Sequence, residues 1–325
     1  MVEQVYENIH RIEVPLPKNP LKAVNSYVIR DPERNLVIDT GLNRKECRDV
    51  LLEGLRELGV DPGRTDFFIT HLHADHSALA LSLAGEGAVV YFNGPDYDRV
   101  AGKRGSWDDI VQYAGRNGFP EDELEAALKN HPGYKYGSKF DLPLTLLSDG
   151  DVIEAGGFRL QCVETPGHTW GHLCLYEARK RILFSGDHIL GDITPNIQLW
   201  SDRDNPLEWY LESLERVDGM EVDLVLPGHR RIFHDCHGRI RELKEHHRAR
   251  AEEILGILGG GTRSAFMVAA EMTWDIDCDN WDDFPVSQKW FATGEAIAHL
   301  KYLTEKGKVR KEDRNGIILY SLAEG

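Results

Sequence analysis

The stretch Thr70-His71-Leu72-His73-Ala74-Asp75-His76 constrains this chain more than any other part of it. Three imidazoles and a carboxylate fall within six residues, in the spacing H-x-H-x-D-H. The apolar run Phe67-Phe68-Ile69 precedes it, and a helical pattern follows from about Ser77 to Leu83. The cluster therefore sits where a buried strand hands over to a helix. Three imidazoles and a carboxylate are costly to gather without a cation, and neutral imidazole and carboxylate are standard ligands of zinc, iron or manganese.

Three further apolar runs end in similar punctuation. Val163-Glu164-Thr165-Pro166-Gly167-His168 and Val225-Leu226-Pro227-Gly228-His229 each deliver one imidazole behind a Pro-Gly turn. Leu183-Phe184-Ser185-Gly186-Asp187 delivers a carboxylate. Glycine permits a tight turn and close backbone approach, while the strand supplies a rigid base. Other histidines read differently. His172 is expected as a packed or hydrogen-bonded neighbour, and His188 as either structural or a contact to substrate or leaving group. His234, His237, His246 and His247 are expected to decorate a surface.

Along the chain the pattern is α/β. Strands are expected near 9–14, 25–29, 36–39, 67–70 and 89–93, with a helix at 44–58 closed by Gly59. Residues 94–147 turn helical and irregular, with aromatics interleaved among charges, and read as a helical insertion or a lid. Strands follow near 151–154, 159–164, 173–177, 182–185 and 224–226, with a helix at 207–217. Beyond His229 come a charged helix at 240–258, a break at Gly259-Gly260-Gly261, and helices near 263–273 and 294–306. The end, 308–322, is a hairpin about Asn315-Gly316. Two domains are expected: a catalytic one over 1–236, and a smaller, helical, winged-helix-like one over 237–325.

Formal charge is −16, from 38 basic against 54 acidic residues, which disfavours generic adhesion to nucleic acid or anionic lipid. No apolar run approaches the roughly 18 residues of a membrane span. The first 22 residues are acidic early and lack the apolar core of a signal peptide. The five cysteines are scattered without a C-x-x-C pair, which suits reduced thiols in a cytoplasm. No Gly-x-Ser-x-Gly elbow offers a serine nucleophile.

The four motifs, in this order and roughly this spacing, resemble the metallo-β-lactamase superfamily. Val37-Ile38-Asp39-Thr40-Gly41 resembles its first motif, and the likeness covers about residues 5–235. The resemblance implies an αββα sandwich with the site at one sheet edge. It implies that His71, His73 and His168 hold a first metal and that Asp75, His76 and His229 hold a second. It also implies that Asp187 bridges both, and that Asp39 supports the His-x-His loop without being a ligand. Two divalent ions are expected, zinc first, with iron or manganese as alternatives. A hydroxide shared between them would attack a carbonyl carbon or phosphorus, with Asp75 and Asp187 as the catalytic carboxylates that orient it and take its proton.

A bridging aspartate, together with Thr165-Pro166-Gly167-His168-Thr169-Trp170-Gly171-His172, looks more like glyoxalase II and related thioester or ester hydrolases than a true β-lactamase. A small-molecule thioester or ester is therefore the expected substrate. The tail offers a rival. Pro285-Val286-Ser287-Gln288-Lys289-Trp290 and the final hairpin resemble the winged-helix domain of some β-lactamase-like proteins, including endoribonucleases acting on single-stranded RNA. Lys306, Lys308, Arg310, Lys311 and Arg314 would supply phosphate contacts, although Glu305, Glu312 and Asp313 interrupt them. A third alternative is a mononuclear iron persulfide dioxygenase, which leaves Asp75 and His76 outside coordination. The tail aromatics Trp274, Trp281, Phe284, Trp290 and Phe291 are expected to dock against the catalytic domain or a second copy in a homodimer.

Overall fold

Strand by strand, the apolar runs become two sheets in a computed structural model of the chain, which describes residues 2–323 apart from 138, 139, 141, 142, 277 and 279. Four of those positions fall within the expected insertion; these, with Met1, Glu324 and Gly325 at the expected domain ends, lie outside the described residues. The first sheet contains β1 (Val2–Tyr6), β2 (Ile9–Pro15), β3 (Ala23–Ile29), β4 (Asn35–Ile38), β5 (Thr65–Phe68), β6 (Val90–Asn93) and β7 (Thr145–Leu147), adjacent in that order. Pairing is antiparallel from β1 to β4 and parallel from β4 to β7. Parallel neighbours need crossovers. Helix α1 (Lys45–Glu57) joins β4 to β5, and α2 (Ala74–Leu83) joins β5 to β6. The last connection runs through α3 (Gly94–Val100), α4 (Trp107–Arg116), α5 (Glu121–Asn130) and α6 (Pro132–Tyr136). Neither edge strand is legible in the sequence: β1 shows no clean alternation, and β7 is three residues long.

The second sheet is built from β8 (Val152–Ala155), β9 (Phe158–Glu164), β10 (Leu173–Glu177), β11 (Ile182–Gly186) and β12 (Leu224–Pro227), in the spatial order β12-β11-β10-β9-β8. Only β11 and β12 are parallel, and α7 (Pro206–Asp218) lies between them in sequence. The period-two pleat then sorts side chains to two sides. Leu36, Ile38 and Phe68 pack with Leu160, Leu175, Phe184 and Leu226 between the sheets, whereas Val37 and Phe67 turn outward to Leu51, Leu55 and Leu79 on the helices. Each such side chain, when fully buried, contributes roughly 1.5–3 kcal/mol. The result is the expected αββα sandwich.

The chain divides into two compact units, one of residues 1–104, 136–195 and 213–240, the other of 105–135, 196–212 and 241–325. Both sheets belong to the first. Helix α8 (Cys236–Gly259) has residues in each, while α9 (Ala265–Glu271), α10 (Val286–Glu305) and the hairpin β13 (Val309–Arg314) with β14 (Ile317–Leu322) belong to the second, together with α4 and α5. The second unit's core centres on Trp290, which stacks on Trp200 at 4.3 Å and meets Phe119 edge-on at 5.5 Å. Several tail aromatics thus pack within their own unit: Trp281 stacks on Phe284, and Trp274 lies 4.2 Å from the Arg250 guanidinium. Helix α10 starts well before Gly294, the expected boundary, because that glycine is buried in mid-helix. His247, expected on the surface, is buried with its Nδ1 3.2 Å from His299 Nε2. All five cysteines are free. Among the described residues, no helix is long and apolar enough to cross a membrane.

Candidate metal centre

Strands β9, β11 and β12 run the same way, as do β4, β5 and β6, so each set ends at one rim of its sheet. The two rims are tied directly: Asn25 N–H donates to Gly228 O at 2.7 Å, and Leu173 N–H to Thr70 O at 2.9 Å. The Tyr27 hydroxyl and the Asn25 amide also donate to Pro227 O. The four motifs, up to 158 residues apart between His71 and His229, therefore meet at one point.

Three donor groups form there: His71, His73 and His168; His71, His76 and Asp187; and Asp75, His76 and His229. All seven expected positions are present. His168 Nε2 and His73 Nδ1 face each other at 3.0 Å, and His76 Nε2 and His229 Nε2 at 3.3 Å. Between these pairs lies Asp187, whose Oδ2 is 3.6 Å from His168 Nε2 and 3.4 Å from His229 Nε2, while Oδ1 is 3.5 Å from His76 Nε2. Asp75 Oδ2 stands 3.6 Å from His229 Nε2. Helix α2 begins at Ala74, three residues earlier than expected, so Asp75 and His76 both lie on its first turn. A carboxylate is favoured there by the partial positive charge of a helix N-terminus.

The electrostatics are those of a tightly packed, oppositely charged cluster. Burial pulls the His76 imidazole toward neutrality, but the charges of Asp187, Asp39 and Asp75 outweigh it and hold its pKa well above the ordinary value. His229 is raised for a like reason, Asp187 winning over burial. Burial would raise the Asp187 carboxyl, yet His229 and His76 hold it well below the usual range. His71 goes the other way: burial, and then the neighbouring histidines, push it well down. Two atoms expose what the cluster requires. His71 Nε2 and Asp187 Oδ1 are buried without a hydrogen-bond partner, a situation costing about 1–3 kcal/mol per group. Cations coordinated by these donors would remove that cost, so the residues fit a binuclear divalent-metal site.

The supporting residues are as specific. Asp39, held at φ 55°, accepts from Thr70 N–H at 2.9 Å through Oδ1 and meets His76 Nδ1 at 2.7 Å through Oδ2. It therefore reaches a donor ring as well as the residue preceding the His-x-His loop. His172 is buried with Nε2 accepting from Asp187 N–H at 3.1 Å, so its proton sits on Nδ1, facing Thr165 Oγ1 at 2.8 Å. Its place is behind Asp187. His188 is fully buried, and that burial holds its pKa down at about 3. The motif reading missed Asp96, a buried carboxyl pushed up to about 6 by desolvation, on the first turn of α3. Its only local signal is Asn93-Gly94-Pro95-Asp96 at another strand end of the same rim.

Gly228 shows how closely the backbone approaches. A Cβ there would stand 2.5 Å from Asp187 Oδ1 and 2.8 Å from His76 Cε1. Gly228→Ala is expected to displace both donors and lower kcat/KM by roughly 10²-fold, the cost typical of a 1 Å misplacement. Metal content per chain and steady-state rates check this; an unchanged pair of values would mean the turn can yield.

Residues 19–229 match the family described as the metallo-beta-lactamase superfamily, and residues 282–323 match the metallo-beta-lactamase-like C-terminal domain. Among solved structures, a metallo-beta-lactamase family protein from Thermus thermophilus is 28% identical with a TM-score of 0.84, covering 98% of this chain and 100% of its own. The chain is 31% identical over 226 residues to an acyl-coenzyme A thioesterase of Homo sapiens, covering 64% of this chain and 74% of that protein. It is 24% identical to an atrochrysone carboxyl ACP thioesterase of Emericella nidulans over 97% of this chain and 84% of that one. The superfamily match over residues 19–229 spans β3 to His229 and takes in every donor named above, and on it the chain belongs to the metallo-β-lactamase superfamily.

Proposed function

We propose that this metal-dependent hydrolase cleaves acyl thioesters, with His71, His73 and His168 holding one ion, Asp75, His76 and His229 the other, and Asp187 shared. The observation that carries the reading is the Asp187 carboxylate, within 3.6 Å of an imidazole from each set. Zinc suits this nitrogen and oxygen donor set. When bound, two such ions supply a hydroxide at neutral pH and an electrophilic contact for a carbonyl oxygen. Asp75, with 14% of its side chain exposed, is the donor carboxylate most open to solvent, and it would orient the attacking water and take its proton at Oδ2. Water's oxygen bonds to the acyl carbon, the C–S bond breaks, and the thiolate leaves to be protonated. Asp39 and His172 hold the rings and backbone still while this happens.

The thioester preference is supported by the two thioesterase relatives. It is supported also by the charges in and just before the hairpin: Lys306 pairs with Glu208, Lys311 with Asp202 and Arg314 with Glu312, which leaves less free positive charge for RNA phosphates. We assign the catalytic role to residues 1–236, which contribute every donor, and take 237–325 as a winged-helix-like region that shares one compact unit with 105–135 and 196–212. Five free thiols suit a reducing cytoplasm.

The test offers zinc-loaded protein acyl-coenzyme A, acyl-glutathione, an aryl ester and single-stranded RNA in parallel. Thiol release from at least one thioester is expected, lost on chelation and restored by zinc. Two bound metals with RNA cleavage and no thiol release would transfer the reading to a nuclease. One iron per chain with oxygen consumption would transfer it to a dioxygenase.

A further inference from the structure

Behind the donor cluster, one buried carboxylate grips two loops at once. Asp96 is fully buried and is not among the converging donors. Its Oδ2 accepts from Leu72 N–H at 2.9 Å and from the Thr169 hydroxyl at 2.9 Å; its Oδ1 accepts from Gly171 N–H at 2.9 Å. Leu72 lies between His71 and His73, and Thr169 follows His168. The carboxylate is itself fixed by Asn93, whose Oδ1 accepts from Asp96 N–H at 2.8 Å and whose amide approaches Oδ2 at 3.4 Å. The contact leaves no slack. A Cβ on Gly171 would stand 1.6 Å from Asn93 Oδ1 and 2.9 Å from Asp96 N.

The second donor pair is backed from elsewhere. His76 Nδ1 meets Asp39, and His229 Nδ1 faces Ala23 O at 2.7 Å. We propose that Asp96 is a positioning residue dedicated to the His71, His73 and His168 set, governing how tightly that set binds its ion without touching it. The inference rests on the ligand assignment proposed above, but not on the substrate. Its chemical logic is that two N–H groups and one hydroxyl all point at Asp96, so only a group accepting on both oxygens satisfies them. An amide would turn an NH2 toward at least one donor and push a loop away.

The experiment titrates metal-free protein with cobalt(II) alone and follows the visible spectrum, with His168→Ala and His229→Ala identifying the phase that belongs to each set. In Asp96→Asn, the phase lost in His168→Ala is expected to weaken by about 10- to 100-fold, the range for residues that support ligands, and its band to shift. The phase lost in His229→Ala should stay within about threefold. Equal weakening of both phases, or of neither, overturns the proposal. If His168→Ala and His229→Ala do not remove different phases, the ligand assignment fails and the inference with it, whatever the thioester assays give. Should Asp96→Asn not fold, Thr169→Val removes one of the three bonds and is expected to give a smaller weakening in the same phase alone; no change there is equally fatal.

Discussion

Asp187→Asn is expected to lower kcat/KM for a thioester by about 10³-fold or more, corresponding to roughly 4 kcal/mol of lost transition-state stabilisation. The substitution preserves shape and removes one negative charge from a point within 3.6 Å of His76, His168 and His229. If Asp187 is shared as proposed, its carboxylate would contribute to both ions, so metal content should fall from two per chain toward one or none. The protein itself should stay folded, because Asp187 N–H still donates to His172 and the Gly228 N–H to Gly186 O bond is untouched. Metal analysis and rates on the same preparation decide it. Two retained metals with activity within tenfold of wild type would show that Asp187 is not shared.

The largest effect on stability is expected far from the metals, at Arg250→Met. Arg250 Nη1 donates to Glu253 at 2.7 Å and to Thr273 O at 2.6 Å, Nε reaches Glu295 at 3.3 Å, and the guanidinium lies over Trp274. Its side chain is 9% exposed and that of Glu295 12%. Breaking such a pair leaves a carboxylate buried and uncompensated, which costs about 3–5 kcal/mol, a fall in melting temperature of roughly 10 °C. The sign with pH follows from Glu295. Burial already raises its pKa, with Arg250 opposing that rise; without Arg250 it rises further. A carboxyl whose folded pKa lies above its unfolded one favours the fold below the unfolded value and loses that contribution as pH rises through the folded value. The gap between variant and wild type should therefore be widest near neutrality and narrow as pH falls toward 5, and Arg250→Met with Glu295→Gln should recover most of it. A single variant melting within 2 °C of wild type at neutral pH would contradict the ion-pair account.

The identity of the donors was legible because each is announced locally. A short apolar strand followed by a histidine or aspartate, behind a glycine or Pro-Gly turn for His168, Asp187 and His229 and directly in the H-x-H-x-D-H run for His71, His73, Asp75 and His76, is a pattern of a few consecutive residues. The structure brings these seven side chains together at one rim. The core strands were legible for the same reason, since alternation in 9–15 or 158–164 is a property of neighbours in sequence. The edge strands were not, because a three-residue strand such as β7 is defined by its partner β6 more than by its own side chains.

What the sequence by itself determined, then, is which chemistry-bearing side chains stand at strand ends, and hence the class of site they build. Only the tertiary structure decided how those ends face one another. Asp187 comes to lie between His168 and His229, Asp39 reaches the ring of His76 across 37 positions, and Asp96 grips loops 24 and 73 positions away. It also decided that residues 105–135 join the C-terminal part of the chain, because the apolar positions Ala114, Phe119 and Ala127 find their cover in Trp290. A local pattern states that a helix has an apolar face. Which distant surface buries it depends on three-dimensional packing, where side chains of complementary shape exclude water only once the sheets and turns have set their positions.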